Sequence, residues 1–423
     1  MKNLLLKLTV LVLALTMAMG LVACGDKADE ETQVTGTFKY RLASELREVV
    51  DENGEVKLDE DGEAIMETHK YYVITGYEVS SEDALKMAEG DFSTVEQYRV
   101  LSKEKNDGDK CTLFPRTGND LGEDNDYPVE EIEGGAFTNQ IILKEVYVGD
   151  NIKKIGEGAF AGCTNLEKIS LPFLGESEDA VNSARVFGHL FGASASGDGN
   201  VAVTSKVHER KDDTGASILN ESEVSFSVPA SVKTVDLSRT TMTSVSECAF
   251  YGMSMIKSVI LPSTVVSVDS HAFYGCTSLV SFDLGNIETL EQYAFSGCTS
   301  LNSVDFKNVK VIKENAFESC VNLFKKKLNF ENNGGILTLP ASVEFLGARA
   351  FLGCESIVKI DLSATKITTI YQGAFEGLIE LKELKVKDGT LIKTGAFAAC
   401  EELKEDKITG TYTSEPKAFA FDD

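Results

Sequence analysis

Six of the nine cysteines hold one position relative to a phenylalanine: Cys163, Cys276, Cys298, Cys320, Cys354 and Cys400 each follow a Phe by three residues. Thiols can form disulfides, hold a metal or act as nucleophiles. The same slot, however, holds Gln140, Met253 and Leu378 elsewhere, so it reads as a packing position in which a buried thiol behaves as a small apolar group. Disulfides between these cysteines are the alternative for an exported chain, and zinc lacks its usual C-x(2)-C pair. The four histidines, His69, His189, His208 and His271, form no H-E-x-x-H. Ser194 in GASASG lacks the G-x-S-x-G spacing of a nucleophile elbow, and no phosphate-binding glycine loop follows a strand. No catalytic residue, metal or cofactor is expected.

The cysteine spacing belongs to a longer repeat. DSHAFYGCTSLVSFDL returns 22 residues later as EQYAFSGCTSLNSVDF, and a further 22 give KENAFESCVNL. Nine Ala-Phe pairs run from Phe137 to Phe397. Each Phe has an aliphatic residue five positions earlier, as in Ile155, Val268 and Ile370, and another six positions later, as in Leu166, Leu279 and Leu381. Pairs such as Phe282 with Leu284 and Ile360 with Leu362 follow at nine and eleven. A two-residue period marks a short strand with one inward face. The Ala-Phe segment, apolar at three-residue intervals, predicts a single helical turn or loop on the other side. Units of this length bury a core only by stacking, so the fold class is an α/β repeat solenoid of about ten rungs.

The pattern I-x(3)-A-F-x(2)-C-x(2)-L-x(2)-I-x-L-P resembles the leucine-rich repeats of BspA-like bacterial surface proteins, the Treponema pallidum type, over residues 128–408. The resemblance implies a leucine-rich-repeat arc with a parallel β-sheet face, short helical turns on the other side and a β-rich N-terminal cap. It also implies display at a bacterial surface and an adhesive role, while leaving the ligand open.

The start, MKNLLLKLTVLVLALTMAMGLVAC, reads as a signal peptide over residues 1–23. Leu21-Val22-Ala23-Cys24 resembles a bacterial lipobox, making Cys24 the expected lipid attachment and the extracellular face of a bacterial membrane the expected location. Removing residues 1–23 takes the formal charge from −26 to −28, which argues against nucleic acid and anionic membrane surfaces as partners. Residues 24–36 read as a flexible tether.

Residues 37–127 are expected to form the cap region. Asn53-Gly54 and Asp61-Gly62 predict the turns of a small β meander, and Tyr71–Tyr77 resembles the strand that opens arrays of this family. Helical character around residues 82–88 and a strand ending at Leu113-Phe114-Pro115 complete the region. The array is interrupted by an insert over 175–223, with FGHLFG as its apolar anchor, and by a smaller one over 324–335; residues 409–423 form a frayed tail or a terminal cap.

The outward residue of each strand falls between the inward pair. This column includes Tyr147, Asp236, Asp283, Asp305 and Asp361, and Asp283 and Asp305 lie on neighbouring rungs, close enough to repel unless a cation or basic group intervenes. These five residues are the candidate ligand-binding set. A host or neighbouring-cell surface protein is the expected partner, with the chain acting as an adhesin-like module. A glycan-binding or structural envelope role is the alternative; Tyr147 is the one aromatic in the column, which weighs against glycans.

Overall fold

The computed structural model describes residues 36–51, 55–59, 63–79, 128–141, 143–193, 200–211, 218–325 and 334–420. The expected signal peptide, Cys24, the helical stretch around residues 82–88 and Leu113-Phe114-Pro115 lie outside them, as do the Asn53-Gly54 and Asp61-Gly62 turns. The chain forms two compact units, Met1–Leu166 and Glu167–Asp423.

In the first unit, Gly36–Glu48 and Met66–Val79 pair antiparallel over their whole length. Between them, isolated antiparallel bridges join Val50 to Val56 and Leu58 to Ala64, the pairing of a meander. Met66–Val79 then pairs in parallel with Val129–Ile132, which pairs with Lys154–Ile155. Tyr72, Val73, Ile74 and Tyr77 are buried, and Phe137 and Phe160 stack at 5.2 Å.

In the second unit the first residue of each inward pair lies on the expected strand and the second just past its end, as Ile360 and Leu362 do around Lys359–Asp361. Lys168–Ser170, Thr234–Asp236 and Ser258–Ile260 pair in parallel; so do Ser281–Phe282 with Ser303–Val304, and Ile336–Thr338, Lys359–Asp361, Glu383–Lys385 and Ile408–Thr409.

The other side of each repeat corrects the expectation of helical turns. The aliphatic residue five before the Phe sits in a second parallel ladder of mostly two-residue strands: Ser244–Val245, Ser267–Val268, Thr289–Leu290, Val311–Ile312 and Phe345–Leu346 in one sheet. Thr369–Ile370, Thr390–Ile392 and Tyr412–Ser414 make another. The Ala-Phe segment is a turn, and no α-helix occurs among the described residues. The cause lies in the backbone. Every residue two before the repeat Phe has positive φ, from Gly135 at 75° to Lys417 at 59°, and so does every residue two after it, from Asn139 at 60° to Ala399 at 56°. A left-handed residue at every fourth position cannot continue a right-handed helix. The amides turn toward the neighbouring rung instead: Phe273 N–H donates to Ala294 O at 2.8 Å, His271 to Gln292 at 3.0 Å and Gly275 to Ser296 at 2.8 Å. The intervening amides bond within their own rung, as Ala272 N–H to Asp269 O at 3.2 Å and Tyr274 N–H to His271 O at 3.1 Å, so the peptide groups are satisfied as burial demands.

The core is a stack of phenylalanines. From Phe250 through Phe273, Phe295, Phe317, Phe351, Phe375 and Phe397 to Phe419, successive rings lie 5.2–5.7 Å apart, inclined by no more than 16°. Each buried Phe contributes about 1.5–3 kcal/mol through burial, and each aromatic contact on the order of 1 kcal/mol more.

Two segments that break the sequence pattern also join the stack. Phe187, in the insert, donates its N–H to Ala249 O as a repeat Phe does and packs on Phe250 at 5.5 Å. Phe419, near the chain end, stacks on Phe397 at 5.3 Å beside a fully buried Ala418. The insert continues as an antiparallel hairpin, Asn200–Lys211 with Ile218–Pro229. Its base is anchored by buried Val203, Phe226 and Val228.

Candidate recognition surfaces

The cysteine slot is the most repetitive chemical feature of the core. Each thiol lies one rung beyond a Phe whose carbonyl it reaches: Cys276 Sγ donates to Phe250 O at 3.2 Å, Cys320 to Phe295 at 3.2 Å and Cys400 to Phe375 at 3.0 Å. That carbonyl already accepts the N–H three residues later in its own rung, as Met253 does to Phe250, so the thiol takes its second lone pair. All seven described cysteines are buried. Burial pushes the Cys163 and Cys400 thiols up to about 12 and raises those of Cys276, Cys298, Cys320 and Cys354 as well. Among the described residues, no cluster of three His, Cys, Asp or Glu could hold a metal.

On the strand face, Asp283 and Asp305 follow strands paired in register, Ser281 opposite Ser303 and Phe282 opposite Val304, and both are exposed. Asp236 stands on a strand whose neighbour places Ile260 beside it, and Ile260 is 43% exposed. Asp361 lies between Thr338 and Lys385. Tyr147 belongs to the first unit and is half-buried.

The four aspartates share a local role that sequence spacing did not reveal. Oδ1 of each accepts the N–H two residues later: Ser238 to Asp236 at 3.0 Å, Gly285 to Asp283 at 2.9 Å, Lys307 to Asp305 at 3.1 Å and Ser363 to Asp361 at 3.0 Å. These are Asx turns, which end the strand and start the return. Asp361 also meets Lys385 at 3.5 Å, while Lys359 pairs with Glu383 at 2.7 Å on the same strands. Partial burial pushes the Asp361 carboxyl up, but the Ser363 hydrogen bonds and Lys385 outweigh it and hold the group below its ordinary value.

A second surface, on the turn side, was not anticipated. Tyr251 stacks on Tyr274 at 4.8 Å and His271 on Tyr293 at 4.7 Å, with His271 and Tyr274 5.7 Å apart. All four rings are half-buried. The signal in the sequence is an aromatic one after the repeat Phe in two successive repeats and two before it in two.

In the first unit, the buried Glu130 carboxylate receives Arg47 at 2.6 Å and His69 at 3.1 Å, and Tyr71 donates to Glu131 at 3.0 Å. These contacts tie the long hairpin to Val129–Ile132. Burial first, and the Glu131 hydrogen bond second, push the Tyr71 hydroxyl up to about 12.

Parallel strands, one Phe per rung and left-handed turns on either side of it define a leucine-rich-repeat β-solenoid. The model of the BspA type leucine-rich repeat region matches six copies over residues 125–178, 222–337 and 324–422. The chain belongs to this family. Among solved structures, it is similar to the T. pallidum leucine-rich repeat protein TpLRR at 30% identity, covering 35% of this chain and 78% of that one with a TM-score of 0.27. It is also similar to a leucine-rich repeat protein from Bacteroides ovatus at 18% identity, covering 73% and 72%, TM-score 0.35. The pneumococcal vaccine antigen PcpA matches at 18% identity, covering 68% and 72%, TM-score 0.31. No curated protein matches the chain.

Proposed function

We propose that this is a surface-displayed, adhesin-like recognition protein, anchored through lipid at Cys24, which binds a basic patch of a host or neighbouring-cell protein non-covalently through its strand face. The observation that carries the reading is the fixing of Asp283 and Asp305 by their Asx turns. Exposed carboxylates held in place before contact lose little conformational freedom on binding, and electrostatic complementarity steers the encounter. Asp236 and Asp361 extend the column. The hairpin of residues 36–79 serves in this reading as the cap that pairs an otherwise open strand edge.

Capture from host-cell and bacterial surface extracts by the full chain, with a salt titration, tests the proposal. A protein partner released by added salt supports it; recovery of no protein above background sinks it.

A further inference from the structure

The backbone position two before each repeat Phe is left-handed throughout, a conformation that suits glycine and disfavours any other side chain. Four repeats meet it with Gly135, Gly158, Gly373 and Gly395, and the last unit has Lys417 at 59°. The middle ones instead place Cys248, His271, Tyr293, Asn315 and Arg349 there, at φ between 56° and 58°. Bulky side chains kept on an unfavourable backbone point to a task for the side chains themselves.

Cys248 and Asn315 are buried; His271, Tyr293 and Arg349 fall on one strip of the turn side. Tyr274 and Tyr251 flank it at its start. In the column of Tyr251 and Tyr274 the next residue is Ser296, a small side chain that is buried. Beyond it come planar polar groups, of which Gln292 is exposed and Glu314 and Glu318 are half-buried. Asn315 Nδ2 donates to Glu318 Oε2 at 2.9 Å, Ser296 Oγ to the same oxygen at 3.5 Å, and Gln292 Nε2 to Glu314 Oε2 at 3.1 Å. The exposed Arg349 closes the strip.

We propose that the strip from Tyr251 to Arg349 is a binding platform for a neutral oligosaccharide. A pyranose ring has C–H faces and a rim of hydroxyls. Aromatic π faces attract the C–H groups, and planar amide, carboxylate and guanidinium groups offer paired donors or acceptors to adjacent hydroxyls. Rungs about 4.8 Å apart repeat these contacts along an extended chain of sugars. Anionic glycans are disfavoured by Glu314 and Glu318 and by the net charge of −26. A basic peptide is disfavoured because Arg349 is itself cationic.

The test is an array of neutral glucan, mannan, xylan and N-acetylglucosamine oligomers probed with the full chain, with a heparin tetrasaccharide and tetralysine alongside. Hits are then titrated calorimetrically. A neutral oligomer should bind, and Tyr274→Ala with Tyr293→Ala should weaken it by about tenfold or more. Because those rings also brace the rungs, the pair Gln292→Ala and Glu318→Gln is measured too; it should weaken binding with the melting temperature unchanged. Binding of no neutral oligomer overturns the proposal, as does binding that both pairs of variants leave intact. Heparin or tetralysine as the only ligand lost on substitution overturns it in favour of a charged partner.

Discussion

The thiol of Cys298 donates a hydrogen bond of 3.1 Å to the carbonyl of Phe273, one rung earlier. The contact repeats down the core and links the stacked rings to the cysteine column. Thiols held this way are protonated, so dithionitrobenzoate at pH 8 should leave these six cysteines unmodified in the native protein and label them all in guanidinium. Mass spectrometric mapping decides; rapid native labelling of Cys276 or Cys298 would show that the column opens.

The same thiols predict alkaline sensitivity. Their folded pKa values lie above the ordinary 9.0, so their contribution is complete below about pH 9 and lost as pH rises past it. Each thiol should remove on the order of 1.4 kcal/mol of stability per pH unit above that point. Denaturant unfolding at pH 8, 9 and 10 measures the slope, and a flat profile contradicts it.

The left-handed position after the repeat Phe should respond to glycine in one direction only. Ala399→Gly relieves an Ala at φ 56° and should stabilise by about 0.5 kcal/mol. Gly377→Ala, where an added Cβ meets only ordinary contact at 3.7 Å from Gly353, should cost about 1–2 kcal/mol from backbone strain alone.

Asp305 should tolerate Asn and resist Ala. Asn keeps the acceptor for Lys307 N–H and should stay within about 0.5 kcal/mol of wild type. Ala loses the Asx turn at a cost of about 1 kcal/mol. Thermal unfolding separates the two.

Gly188 faces Phe226, with an added Cβ falling 2.4 Å from Cδ2 of the ring. Gly188→Ala should therefore cost about 1–3 kcal/mol by displacing the hairpin base, read as a lowered unfolding midpoint.

Much of this was legible in the sequence. The repeat Phe, the aliphatics five before and six after it, and the strand pairs announce themselves because burial restricts those positions to apolar types in every copy. The second ladder was not legible: two-residue strands carry one inward residue each, too few to show a period of two, and a left-handed turn can be built from Gly, Asn, Tyr or Arg. Phe187 was hidden because Val186 replaces the usual Ala and Asn182 stands where the aliphatic belongs. Phe419 was hidden because Ser414 takes that place. The strand after Leu403 begins at Ile408, after a short 3-10 turn over Glu405–Lys407. The Asp column was visible as a charge pattern, but its Asx turns depend on where each strand ends.

Those turns make asparagine a charge-only probe of the strand face. The most direct test of the account is the affinity of the full chain, and of a variant carrying Asp283→Asn, Asp305→Asn and Asp361→Asn, for the captured surface protein at low and physiological salt. The account predicts weaker binding by the variant, a smaller salt dependence and unchanged thermal stability. Equal affinity at both salt concentrations would contradict recognition through this face.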